Sequence, residues 1–134
     1  MAKVLIVEDD SLMLRLYQKA FGFEQYEVEV ADNGEDGLLK AKQVMPTIVL
    51  LDIMMPKMNG LQVLERLKAD PMTKNLPVVV LTNLAGSQDA EEALKRGAVR
   101  YIVKSEHDPK QVVDIVKEIV AGYTRNQVPG GAQA

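Results

Sequence analysis

At four places along this 134-residue chain, polar groups directly follow short apolar runs. Glu8-Asp9-Asp10 follows the first run, Asp52 the third, Thr82 the fourth and Lys104 the fifth. Each has an ordinary reading by itself: Asp10 or Ser11 caps a helix, Thr82 ends a strand, Lys104 is a solvated lysine. Together they suggest more, because carboxylates gathered in one place repel one another and are tolerated mainly when a cation neutralises them. Mg²⁺ suits that role, since it takes hard oxygen ligands and combines one or two carboxylates with phosphate oxygens. A lysine is a poor Mg²⁺ ligand but a good partner for a phosphoryl group, and a threonine hydroxyl can donate to another of its oxygens. Acids, divalent cation, hydroxyl and lysine together describe phosphoryl transfer.

These residues meet only if the elements between them bring them together. Apolar runs alternate with stretches whose apolar residues recur at helical spacing, the signature of repeated βα units. Strands are expected over 3–7, 26–31, 47–51, 78–81 and 100–103, all rich in Val, Ile and Leu. The second differs: Tyr26, Val28 and Val30 alternate with Glu27 and Glu29, which suits a half-exposed edge strand. Met13, Leu16, Tyr17 and Ala20 predict a helix over 11–21, and Val112, Ile115, Val116, Ile119 and Tyr123 a last helix that opens at Asp108-Pro109. Leu61, Leu64 and Leu67 mark a third helix, and Ala90, Ala93, Leu94 and Gly97 a fourth. A helix over 34–43 is the weakest, because Gly37 sits inside it. Five such pairs with right-handed crossovers make an α/β domain, a doubly wound parallel sheet covered on both faces, whose ligands bind outside the carboxyl ends of the strands. The domain is expected over 1–123. The polar Gly/Pro segment 124–134 has nothing to pack and reads as a flexible tail.

Composition narrows the function. With 47% hydrophobic and 26% charged residues the chain is neither disordered nor fibrous. Its 16 basic and 19 acidic residues leave a net charge of −3, so no positive field is available for nucleic acid. No apolar run approaches the roughly 20 residues that span a bilayer. The absence of cysteine points to a cytoplasmic setting. No phosphate-binding Gly-x-x-x-x-Gly-Lys-Ser/Thr loop occurs, and acids stand where a flavin site would want a Gly/Ser/Thr-rich loop.

Val-Glu-Asp-Asp after the first strand, Leu-Leu-Asp52-Ile-Met-Met-Pro56-Lys-Met-Asn-Gly60, Leu-Thr82 and Tyr101-Ile-Val-Lys104 resemble the receiver family of two-component response regulators, in order and spacing, over essentially residues 3–123. That resemblance implies a flavodoxin-like fold with strand order 2-1-3-4-5 and five helices. It implies Asp52 as phosphoacceptor, Glu8 and Asp9 as the acidic pair for Mg²⁺, and the Met54 carbonyl as a further ligand. Thr82 and Lys104 would meet the phosphoryl oxygens, with Thr82 and Tyr101 as the switch residues. The implied donor is a histidine kinase or histidine phosphotransfer protein, and the implied output surface is the fourth helix, fifth strand and last helix. By this reading the chain is a signalling switch rather than a metabolic enzyme, and a monomer or weak homodimer.

Departures from the family pattern keep alternatives open. Ser105 replaces the proline that follows the family's lysine, leaving the peptide bond there either cis or trans, and Asn83 replaces a small residue. Asp10 could replace Glu8 at the metal. A phosphate-independent interaction module on the same fold is the alternative function, though the presence of Asp9, Asp52, Thr82 and Lys104 weighs against it. A haloacid-dehalogenase-type phosphohydrolase would carry its aspartate nucleophile on the first strand with a second aspartate two residues on, which Glu8-Asp9-Asp10-Ser11 does not match. By the resemblance Met54 and Leu84 occupy the two positions that flank the phosphoryl group; being apolar, they cannot orient a hydrolytic water, so a long-lived aspartyl phosphate is expected. Leu12 and Leu14 lie off the first helix's core stripe, where the family docks its phosphodonor. His107, the only histidine, reads as surface.

Overall fold

A computed structural model describes residues 1–83 and 88–126, the last three as backbone only. The strands are β1 (Lys3–Val7), β2 (Glu27–Ala31), β3 (Ile48–Asp52), β4 (Val78–Thr82) and β5 (Arg100–Val103). The helices are α1 (Ser11–Phe23), α2 (Gly34–Val44), α3 (Gly60–Ala69), α4 (Gln88–Lys95) and α5 (Pro109–Asn126), with a 3-10 turn over Lys104–Glu106. All strand pairs are parallel in the order β2-β1-β3-β4-β5, as the sequence implied. Leu84 lies outside the described residues, and α5 runs on past the domain end expected at residue 123. Residues 127–134 of the expected tail also lie outside the described residues.

Period-2 alternation sends the strand side chains to two cores. Val4, Ile6, Ile48, Leu50, Val79, Leu81 and Ile102 pack under α1 and α5 with Tyr17, Phe21, Val112, Val113 and Val116. Leu5, Val7, Val49, Leu51, Val78 and Val80 pack under α2, α3 and α4 with Ala41, Val63, Leu64, Leu67 and Ala93. The edge strand β2 is half-buried, as its alternation suggested. Tyr26 precedes it and stands edge-on to Phe21, with ring centroids 5.2 Å apart.

Three helix stripes depart from expectation. In α1 the buried face centres on Tyr17 and Phe21; Leu14 packs against that core and Leu16 is exposed, because the helix is wedged against α5 as well as the sheet. In α4 Ala90 and Ala93 are buried while Leu94 is exposed, and Gly97 lies beyond the helix at φ 109°. Gly37 does not break α2 because it is a contact point: a Cβ there would come within 2.9 Å of Val7 Cγ2. Asp52 and Thr82 are each the last residue of a strand, one position further than expected for those strands.

The loop after Asp52 is held by its own backbone. Gly60 N donates to Ile53 O at 2.8 Å, and Asn59 and Gln62 form a reciprocal capping box at the start of α3. The positive φ in this loop falls on Lys57, at 67°, not on Gly60. Gly60 is needed instead for close approach, since a Cβ there would lie 2.3 Å from Asp52 O and 2.7 Å from Ile53 Cα. Backbone cannot yield as a side chain can. Gly60→Ala should therefore destabilise the domain by about 3 kcal/mol, read as a lower urea midpoint; an unchanged midpoint would show that the loop moves freely.

Candidate functional site

The carboxyl ends of β1, β3 and β5 bring Glu8, Asp52 and Lys104 together across 96 residues of sequence. Lys104 Nζ lies 2.7 Å from Glu8 Oε1 and 3.0 Å from Asp52 Oδ1. Glu8 is 0% and Asp52 1% exposed, so both carboxylates have left bulk water. Asp52 Oδ1 has the ammonium beside it but no hydrogen-bond partner among the described residues. Asp9, exposed, completes a group: one carboxylate oxygen each from Glu8, Asp9 and Asp52 lie within 4.8 Å of one another. This all-oxygen set, with one buried oxygen left without a donor, fits a hard divalent cation such as Mg²⁺.

Asp10 does something else. Its Oδ1 accepts from the amides of Leu12 and Met13 at 3.0 and 3.2 Å, capping α1, and it is Glu8 that joins the carboxylate group. The site opens into a pocket of about 490 Å³ lined by Met54, Asn83 and Ser105 along with the charged residues. Met54 is 60% exposed, whereas Met55 is core and Met58 packs against it. No peptide bond among the described residues is cis, so the chain leaves Lys104 through a trans bond to Ser105 into the 3-10 turn. That path still delivers the ammonium to both acids.

Thr82 and Tyr101 do not share this ion-pair cluster. Thr82 is buried at the end of β4, one residue beyond Leu81, which pairs with Asp52. By alternation it faces the side of Val78 and Val80. Tyr101, half-buried, packs against the same side, and lines a second pocket with Leu94, Val99 and His107. The two therefore connect the carboxyl edge of the sheet to the α4 face. His107 is half-buried rather than at the surface, its Nδ1 3.3 Å from Val103 O.

A neighbour missed by sequence reasoning is Tyr17, which fell into the stripe of α1 as one more core residue. It is fully buried, and its hydroxyl has no hydrogen-bond partner among the described residues. The only signal was a hydroxyl-bearing ring where an aliphatic residue would fill the same space.

One ammonium shared by two buried acids sets the electrostatics. Burial pulls Lys104 down, but the hydrogen bond to Glu8 and the charges of Glu8 and Asp52 together outweigh it and hold the amine above its ordinary value. Burial, reinforced by the Asp52 carboxyl and opposed by Lys104, pushes Glu8 up to about 8.

The sequence profile of the response regulator receiver domain matches residues 4–117, and the chain belongs to that family of signalling switches. Response regulator PleD of Caulobacter vibrioides is 35% identical over 145 residues, covering 99% of this chain and 32% of its own. The Bordetella pertussis virulence regulator BvgA is 37% identical over 125 residues, 91% of this chain and 57% of its own. The chain thus spans only a third to somewhat over half of these curated relatives. Among solved structures, a CheY-like receiver domain protein from Methanospirillum hungatei superposes with a TM-score of 0.85 at 28% identity, covering 94% of this chain and 98% of that one. CheY in a CheX-CheY-BeF₃-Mg complex from Borrelia burgdorferi gives 0.79 at 30%, covering 88% of each chain.

Unfolded, Glu8 titrates near its ordinary 4.5; folded, it holds its proton to about 8. Between those values the folded state binds a proton that the unfolded chain has released, so the free energy of unfolding falls as pH rises. The metal-free protein should lose stability from about pH 5 to about pH 8, and Glu8→Gln should flatten that slope. Urea midpoints at the two pH values decide it: a wild-type midpoint that climbs would show that Lys104 dominates over burial.

Proposed function

We propose that this receiver accepts a phosphoryl group on Asp52 from a histidine kinase or histidine phosphotransfer protein in a Mg²⁺-dependent step, and that the new charge alters the α4-β5-α5 surface. The observation that carries the reading is Lys104 Nζ at 3.0 Å from a nearly buried Asp52 Oδ1 at the floor of an open pocket. A carboxylate attacks phosphorus only when positive charge offsets that of the entering group. Lys104 supplies part of it, and holds Asp52 in place through the ion pair. Glu8, Asp9, Asp52 and the Met54 carbonyl would hold Mg²⁺, which when bound neutralises the phosphoryl oxygens. Thr82 donates its hydroxyl to a phosphoryl oxygen and thereby draws on the side of the sheet that carries Tyr101. In this reading Asp52 catalyses its own modification, and the domain turns over no metabolite.

The donor meets the site from the α1 side in a cytoplasmic setting. Leu12 is 60% exposed beside the pocket, while Leu14 is committed to the core, so the docking patch expected at Leu12 and Leu14 reduces to Leu12. Met54, also exposed, shields one flank of the phosphoryl position without offering water a hydrogen bond, which favours a long-lived phosphorylated state.

Acetyl phosphate with Mg²⁺ should add the mass of one phosphoryl group to the wild type and none to Asp52→Asn. Asp9→Ala, lacking a hard ligand, should bind Mg²⁺ about tenfold more weakly by titration; modification of Asp52→Asn would move the acceptor elsewhere. Lys104→Ala should still bind Mg²⁺ but fail to transmit phosphorylation, leaving the Tyr101 amide resonance where it was. Movement equal to that in wild type would remove Lys104 from the relay.

A further inference from the structure

Under the three charges lies a polar group that the resting arrangement leaves idle. A buried tyrosine hydroxyl ordinarily finds a partner, and one kept without any calls for an explanation. Among the described residues the Tyr17 hydroxyl is such a group. Ile6, Leu50 and Ile102 pack in the same cluster as Tyr17. Alternation carries Glu8, Asp52 and Lys104, each two residues further along its strand, to that same side of the sheet. Tyr17 therefore belongs to the layer from which the site is built. The charges of Lys104, Glu8 and Asp52 all reach its hydroxyl, although burial is the main cause that pushes it up to about 12. At neutral pH it is a neutral donor.

Glu8 is the acid with a demand to be met. Among the described residues its carboxyl group has Lys104 at 2.7 Å, the Asp10 amide at a long 3.5 Å and the Asp52 carboxyl beside it. A phosphoryl group on Asp52 brings further negative charge beside the same ammonium and competes for it. Mg²⁺ would take one oxygen of Glu8, and the other oxygen, which Lys104 leaves, sits on a side chain buried away from bulk water. We propose that Tyr17 is a positioning residue of the acceptor site, its hydroxyl donating a hydrogen bond to the Glu8 carboxylate when a phosphoryl group on Asp52 draws Lys104 away. This rests on the reading of Asp52 as acceptor. It also explains why a phenol occupies a core position that phenylalanine would fill without leaving a polar atom unpaired.

The test uses the protein labelled with ¹³C at tyrosine Cζ, the Tyr17 signal being assigned by its loss in Tyr17→Phe. In the wild type that signal should move on phosphorylation by acetyl phosphate and Mg²⁺. In Lys104→Ala, where Glu8 has already lost its ammonium, it should stand near the moved position with no phosphate present. Tyr17→Phe should melt no lower than the wild type, yet bind beryllofluoride, a phosphoryl mimic, about fivefold more weakly in Mg²⁺, the weight of one hydrogen bond. A role in packing alone would leave that affinity untouched. If the wild type gains the phosphoryl mass but the Tyr17 signal stays still and Tyr17→Phe binds beryllofluoride normally, the role of Tyr17 is overturned and the acceptor reading stands. If the wild type gains no mass, the acceptor reading falls, and the Lys104→Ala spectrum, which needs no phosphate, still decides whether Tyr17 answers the loss of the ammonium.

Discussion

A single ammonium stands between two buried carboxylates, and much of the molecule is arranged around that shortage of positive charge. Lys104 contacts Glu8 and Asp52 at once, so neither acid has a counter-ion of its own. Moving a carboxylate out of water is costly unless it is paired, and a half-paired one stays responsive to whatever charge arrives next. A cation or a phosphoryl group entering the pocket changes the balance directly. The site is poised because it is incompletely neutralised, and the rigid parallel sheet prevents the acids from relaxing into solvent.

The surrounding elements keep this arrangement from collapsing. Asp10 is committed to the α1 cap and so stays out of the carboxylate group. The close passage of Gly60 against Asp52 O fixes the loop that follows Asp52. On the opposite side, Tyr101 packs into the layer of α2, α3 and α4 and Thr82 faces that layer by alternation, so the sheet itself separates the ion pairs from it. Chemistry on one face can be read on the other only through the strand ends they share.

The alternation of apolar runs and helical stripes was sufficient to place the five strands, their parallel sense and the clustering of Glu8, Asp52 and Lys104, because in this architecture strand ends converge by construction. Motif spacing carried the family. Helix rotation was less legible: Leu14 and Leu16 exchange burial in α1 since that helix packs against α5 as well as the sheet, and pairing between helices leaves no local pattern. The α4 stripe overran for a related reason, Gly97 lying past the helix end. Tyr17 was invisible as a polar neighbour, because periodicity records that a side chain is buried and is silent about its terminal oxygen.

The pairing of Lys104 with Glu8 joins positions near opposite ends of the domain, and that has a kinetic meaning. Neighbouring strands pair over separations such as Val79 to Arg100 and Val4 to Ile48, whereas Lys104 and Glu8 lie 96 residues apart, so their contact closes the longest loop at the site and carries the largest closure cost. The last strand brings the one ammonium to both acids, so the charge pairing at the strand ends is complete only when the whole sheet is in place.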